Sequence, residues 1–146
     1  MVRPKAQPEK FKALFSSGKR FDYQKNETIL RARETPRGVY LIEEGIIKMY
    51  SLSKQGNEHV LDFFGPGDLF PVVWPFQQNV RRTYYEAISK VSLWLVPGET
   101  FMDFVDEDPE VMSEILNRLI DRYHLHVGRI DNLLYTDAHE RSAYRI

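Results

Sequence analysis

Between Lys19 and Val96 the apolar positions come in short runs rich in Val, Ile, Phe and Tyr: FDY, TILRA, VYLIEE, IIKMYSLS, EHVLDFF, DLFPVV, TYYEAI and SLWLV. Turn signals separate them at Asn26-Glu27, Pro36-Arg37-Gly38, Gly45, Gln55-Gly56-Asn57, Gly65-Pro66-Gly67 and Ser89-Lys90. That punctuation falls near the spacing of about 8 to 12 residues typical of antiparallel sandwiches and barrels. The pattern predicts a mainly β fold with added helices, a double-stranded β-helix or jelly-roll barrel. Residues 8–16 place Phe11, Leu14 and Phe15 on one helical face, which predicts a short entry helix packed on the barrel. After the last strand, Phe101, Phe104 and Val105 are at helical spacing behind Pro97. Residues 71–82, PVVWPFQQNVRR, follow neither period, and two prolines bracket Val72, Val73 and Trp74, so this stretch is expected to be a specialised loop.

From Asp108 the period changes for good. Asp108 suits an N-cap, Pro109 the first helical position and Glu110 the positive end of the helix dipole, so one long helix is expected over 108–135. Along it Met112, Leu116, Leu119, Tyr123, His126, Ile130 and Leu133 alternate by four and three residues, the repeat that keeps a seam facing a partner helix. The stripe is roughly 33 Å long at about 1.5 Å per residue, longer than a small β domain needs to cover one face. A second copy of the chain is the expected partner, giving a homodimer. Val111, Ile115, Ile120, Val127 and Leu134 widen the apolar surface on one flank, so the helix can meet its own domain as well. The plainer alternative is a surface helix on its own core. Gly128 costs about 1 kcal/mol against alanine in a helix interior and is compatible with close approach of another backbone.

With 146 residues, of which 42% are hydrophobic, the chain supports one core plus this helix. A formal net charge of -1 removes any polyelectrolyte signal for direct nucleic-acid or acidic-membrane binding by these residues. There is no cysteine, which excludes thiol redox sensing and cysteine-held metal clusters within the chain. No apolar run reaches the roughly 20 residues of a membrane span, and MVRPKAQPEK carries no signal-peptide core, so a cytoplasmic protein without a membrane partner is expected. His59, His124, His126 and His139 do not make a metal site: His124 and His126 are two apart on a helix, whereas chelation from a helix needs three or four. No phosphate loop, nucleophile elbow or zinc-protease motif occurs, so no catalytic residues are assigned and an enzyme is not expected.

The stretch GVYLIEEGIIKMYSLSKQGNEHVLDFFGPGDLF, with Gly45, Gly56, Gly67, Asp68 and Phe70 at its turns and end, resembles the cyclic-nucleotide-binding β-roll of CRP/FNR-type bacterial transcription regulators. The resemblance runs from about Phe21 to Ile146 and includes Ala87, the short helix, the long helix and NLLYTDAHERSAYRI. It implies an effector-sensing β-roll over 1–107, a dimerisation helix over 108–135, and over 136–146 the start of a DNA-binding winged helix-turn-helix absent from this chain. Asp137 and Glu140, spaced like a capping box, would open that new helix.

Nucleotide-binding members carry a Gly-Glu pair after the Gly-x-x-Phe segment, whose carboxylate holds the ribose, and then Arg-Ser or Arg-Thr for the cyclic phosphate. Here Pro71-Val72 replaces the first pair, Arg81 matches the phosphate arginine, Arg82 takes the hydroxyl position and Thr83 follows. Two adjacent guanidiniums can grip an anion, but the acceptor for a ribose hydroxyl is missing. The base-contacting positions on the long helix fall at His126 and Val127. Cyclic AMP is therefore not the expected ligand, and the candidate site for an unidentified small-molecule effector comprises Phe70, Val72, Trp74, Arg81, Arg82, Thr83, Tyr85 and His126. With Val73, Phe76 and Tyr84, these aromatics either line a chamber for a small aromatic or fatty ligand or simply fill the core. Arg31, Arg33 and Arg37 read as a solvated edge. Two functions remain: the sensing and dimerisation part of a regulator whose partner is DNA through that absent domain, or a stand-alone ligand-binding or scaffold module.

Overall fold

A computed structural model of the chain describes the backbone of residues 8–143 and the side chains of residues 9–134. The order is α1 (Pro8–Ser16), β1 (Lys19–Tyr23), β2 (Thr28–Leu30), β3 (Val39–Glu44), β4 (Ile47–Leu52), β5 (Glu58–Phe64), β6 (Leu69–Phe70), α2 (Trp74–Gln77), β7 (Tyr84–Ala87), β8 (Val91–Val96), α3 (Gly98–Glu107) and α4 (Pro109–Ala143). The chain divides into a β unit that ends at Pro109 and a second unit that begins at Glu110 and holds almost all of α4.

All eight strand-like runs contain a strand, and they form two four-stranded antiparallel sheets in the orders β1-β8-β3-β6 and β2-β7-β4-β5. The arrangement is jelly-roll-like, but the two sheets are not closed into the expected barrel. Register is set by the alternation: Tyr40 and Ile42 of β3 lie opposite Leu95 and Leu93 of β8, and Ile47 of β4 lies opposite Ala87 of β7. These inward residues join Ile29, Leu30, Phe64, Phe70, Tyr85 and Val91 in one core fed by both sheets. The β3–β4 turn needs Gly45, at φ 95°, because a Cβ there would run into the Lys90 carbonyl.

The run DLFPVV gives only the two-residue β6, since Pro71 has no N–H for the ladder. The expected loop over 71–82 contains the one-turn α2, which starts with Trp74-Pro75 and stops at Gln78 in the left-handed region, φ 55°. Packing of α1 is as its apolar face requires. Phe11 and Phe15 are buried, 6.2 Å from Phe104 and 6.4 Å from Phe101 of α3 between ring centroids, and Lys10 Nζ donates to Asp108 Oδ2 at 2.9 Å.

Within its own unit α4 is a single helix. Val111, Glu114 and Ile115 near its start are buried, and Arg118 Nε donates to Glu114 Oε1 one turn back at 3.0 Å. Further along the apolar stripe lies open: Leu116, Tyr123, Ile130 and Leu133 are exposed, Tyr123 at 64% and Leu133 at 71%, while Leu119 and His126 are half-buried. The break expected after Tyr135 is not a break in the helix, because residues 135–143 contain neither proline nor glycine to stop it. All side chains of residues 135–146, those of Asp137, His139 and Glu140 among them, and the backbone of residues 144–146 lie outside the described residues.

Candidate functional site

The aromatic residues singled out from the sequence part into two groups. Phe70, at the end of β6 and 1% exposed, stacks between Tyr40 at 5.1 Å and Tyr85 at 4.7 Å, with Phe64 tilted at 5.9 Å. Ring separations this short leave no room for a ligand between these partners: here the aromatic cluster is core. Tyr84 points the other way in its strand and stacks on Tyr50 at 5.1 Å. Val73 and Phe76 are 49% and 39% exposed, so the single aromatic chamber suggested by the sequence is not assembled. Val72 is half-buried beside the buried Pro71.

Arg81 is the most unusual side chain of the region. It leaves the segment between α2 and β7, lies over the Tyr85 ring at 5.7 Å and, among the described residues, hydrogen-bonds to backbone carbonyls alone. Nη1 donates to the Thr83 carbonyl at 3.2 Å, and Nη2 to those of Arg31 and Glu34, both at 3.1 Å. Nε is buried and meets no acceptor among the described residues. Burial pulls the guanidinium below its ordinary pKa, a shift opposed by the neighbouring Tyr85, Glu34 and Tyr40. The bend that receives Arg81 is tied in return: Arg33, at φ 67°, donates its N–H to the Arg81 carbonyl at 2.7 Å, and the Arg31 N–H donates to Glu34 Oε2 at 3.0 Å. Arg82 is exposed and Thr83 half-buried, so the expected side-by-side pair of anion-gripping guanidiniums is replaced by one arginine turned inward and one turned to solvent. His126 belongs to the α4 unit.

Next to this knot a cleft of about 170 Å³ opens between the β2–β3 bend and the α2–β7 segment. Arg33, Glu34, Pro36, Trp74, Val80 and Arg81 are among the residues that line it. Trp74 is half-buried, its six-membered ring close to where a Cβ on Gly98 would lie. Reading the sequence missed the contribution of the bend, because its acceptors are main-chain carbonyls that any residue would supply. It also missed Asp62, 4% exposed on β5, whose Oδ1 accepts the Phe63 N–H at 2.8 Å. The only signal for Asp62 was a carboxylate interrupting EHVLDFF.

Among the described residues no group of three or more His, Cys, Asp or Glu is placed to hold a metal ion, and no helix is long and apolar enough to cross a membrane.

Residues 20–108 match the family model described as cyclic nucleotide-binding domain. The chain is 22% identical over 140 residues, 96% of its length, to the CRP-like cAMP-activated global transcriptional regulator of Mycobacterium tuberculosis, of which the match covers 62%. It is 26% identical over 95 residues, 64% of its length, to the anaerobic regulatory protein of Haemophilus influenzae, covering 36% of that protein. Among solved structures the Thermus thermophilus catabolite activator protein superposes with a TM-score of 0.75 at 22% identity, over 95% of this chain and 65% of that one. The chain thus spans less than two thirds of the curated relatives it matches.

Proposed function

Because the chain belongs to the cyclic nucleotide-binding domain family, with CRP/FNR-type regulators among its relatives, we propose that it is the effector-sensing and dimerisation part of a transcription regulator. In this reading residues 1–107 receive a small-molecule effector, the helix over 108–135 pairs two copies, and 136–146 leads toward a DNA-reading segment. The observation that carries it is the open stripe on α4. Leu116, Tyr123, Ile130 and Leu133 stand exposed at alternating heptad spacing in the single chain, and burying each such side chain against a partner helix is worth about 1.5–3 kcal/mol before ordering costs. Effector binding biases the equilibrium between two arrangements of the paired helices by its differential affinity for them.

Cyclic AMP is not the effector in this reading. Pro71 and Val72 offer no carboxylate to a ribose hydroxyl, and Arg81 Nη2 is already committed to two carbonyls.

Sedimentation equilibrium is the direct test: the chain is expected to be a dimer at micromolar concentration. Leu119→Glu together with Tyr123→Glu should give a monomer whose β unit keeps its circular dichroism. A wild-type chain that sediments as a monomer at that concentration defeats the proposal.

A further inference from the structure

The β2–β3 bend carries three arginines, Arg31, Arg33 and Arg37, against one carboxylate, Glu34, in a chain whose formal net charge is -1. All three are exposed, and among the described residues none of them forms an ion pair. Cations elsewhere are matched: Lys10, Arg20, Lys48 and Arg118 reach carboxylates at 2.9, 3.2, 2.9 and 3.0 Å. Glu34 does not neutralise its neighbours in this way, because its Oε2 is turned onto the Arg31 N–H at 3.0 Å. The bend is also held stiffly. Arg81 grips the carbonyls of Arg31 and Glu34, and the Arg33 N–H returns a bond of 2.7 Å to the Arg81 carbonyl. Arg33 keeps a left-handed φ of 67°, which a non-glycine residue holds only where its surroundings over-determine it. Guanidiniums carried on backbone fixed in advance lose less freedom on binding than those of a loose loop.

Apolar surface lies beside these charges. The cleft of about 170 Å³ has Pro36, Trp74 and Val80 among its lining residues, and Val80 is 75% exposed. That volume suits one inserted side chain, since a cavity of about 150 Å³ holds a benzene ring. Arginines around an apolar recess match the composition of protein–protein contacts, and a guanidinium fork pairs with a carboxylate through two parallel bonds. A nucleic acid fits less well, because its affinity comes from neutralising many phosphates, and the bend offers three cations in a chain of net negative charge.

We propose that the β2–β3 bend and the cleft beside it are a docking surface for an acidic segment of a partner protein, its carboxylates on Arg33 and Arg37 and one apolar side chain between Trp74 and Val80. Arg81 takes no part beyond fixing the bend. The surface does not depend on the effector reading.

The test is fluorescence anisotropy of the full chain with a fluorescein-labelled octapeptide, Asp-Glu-Asp-Leu-Phe-Glu-Asp-Glu. Saturable binding on the order of 10–100 μM is expected at low salt, weakening at least about tenfold between about 20 mM and about 500 mM sodium chloride. Arg33→Glu with Arg37→Glu should weaken it at least about tenfold at unchanged circular dichroism, because neither side chain forms an ion pair in the fold. Lys54→Glu with Lys90→Glu, which makes the same change in net charge at exposed positions outside the bend, should leave binding within about twofold. Replacing the Leu-Phe pair of the probe by Ala-Ala, or Val80 of the chain by aspartate, should each cost about tenfold. Absence of saturable binding, equal losses from the two charge-reversed pairs, or an alanine probe that binds as well as the original would overturn the proposal. So would tighter binding of a decathymidylate or of phosphatidylserine vesicles, which would make the bend a phosphate-reading surface. A chain that sediments as a monomer and still binds the octapeptide keeps this surface and loses the regulator reading, whereas a dimer that ignores the probe does the reverse.

Discussion

Replacing Phe70 with alanine asks whether the interior between the two sheets is filled or hollow. The ring is fully enclosed and touches three others, at centroid distances of 4.7, 5.1 and 5.9 Å. Truncating a buried phenylalanine costs about 3–5 kcal/mol, and each well-placed aromatic pair adds about 0.5–1.5 kcal/mol beyond burial, so the upper end of that range, about 4–5 kcal/mol, is expected. For a chain of this size each kcal/mol moves the midpoint by about 2–4 °C, which predicts a drop of roughly 8–20 °C. Urea unfolding followed by far-ultraviolet circular dichroism reads the change directly as a lower midpoint at unchanged slope. Phe70→Leu, which keeps much of the volume, should cost only about 1–2 kcal/mol. A loss below about 1 kcal/mol for the alanine variant is far short of the cost of truncating a buried aromatic. It would mean that the ring borders an unoccupied chamber, and would return Phe70 and Tyr85 to the list of ligand contacts.

Two further outcomes follow from buried groups in the same unit. Burial raises the Tyr40 hydroxyl to about 12, and Tyr23 moves in the same direction for the same reason. A folded-state pKa above the unfolded value of 10.0 favours the neutral form in the native chain, so this stability is intact below pH 10 and is lost as pH rises toward 12. Urea midpoints at pH 9 and 11.5 should show the loss, and Tyr40→Phe should reduce it; an unchanged pH dependence in that variant contradicts the assignment. At Gly38, just before β3, an added Cβ would collide with the Val96 carbonyl, a backbone atom held in β8. Gly38→Ala should therefore cost about 1–3 kcal/mol by overpacking, and a midpoint equal to wild type would disprove the close approach.

What could be read in advance divides along the line between side-chain pattern and backbone geometry. The eight strands, α1 and α3 announce themselves because alternation and helical spacing are properties of the side chains that bury them, as with Tyr40 and Ile42 or Phe101 and Val105. The start of α4 at Pro109 is legible for the same reason. Its continuation past Tyr135 was obscured by an Asp-x-x-Glu pattern that resembles a cap but is not accompanied by a residue able to stop a helix. Whether Phe70, Tyr85 and Tyr84 line a space or occupy it depends on a few tenths of an ångström in ring separation, which composition does not encode. Arg81 was identifiable by position, but its commitment to Arg31 and Glu34 was not, because the partners are carbonyl oxygens.

That last point bears on how the chain can vary. A cation gripped through peptide oxygens places no demand on which side chain stands at position 31, only on the path of the main chain there, which the Glu34 carboxylate helps to hold. Saturation mutagenesis there should be permissive except for residues that alter that path, while position 81 itself should accept almost nothing. A surface built this way can change the side chains around it, including the charge at Arg33, without surrendering the anchor beneath them.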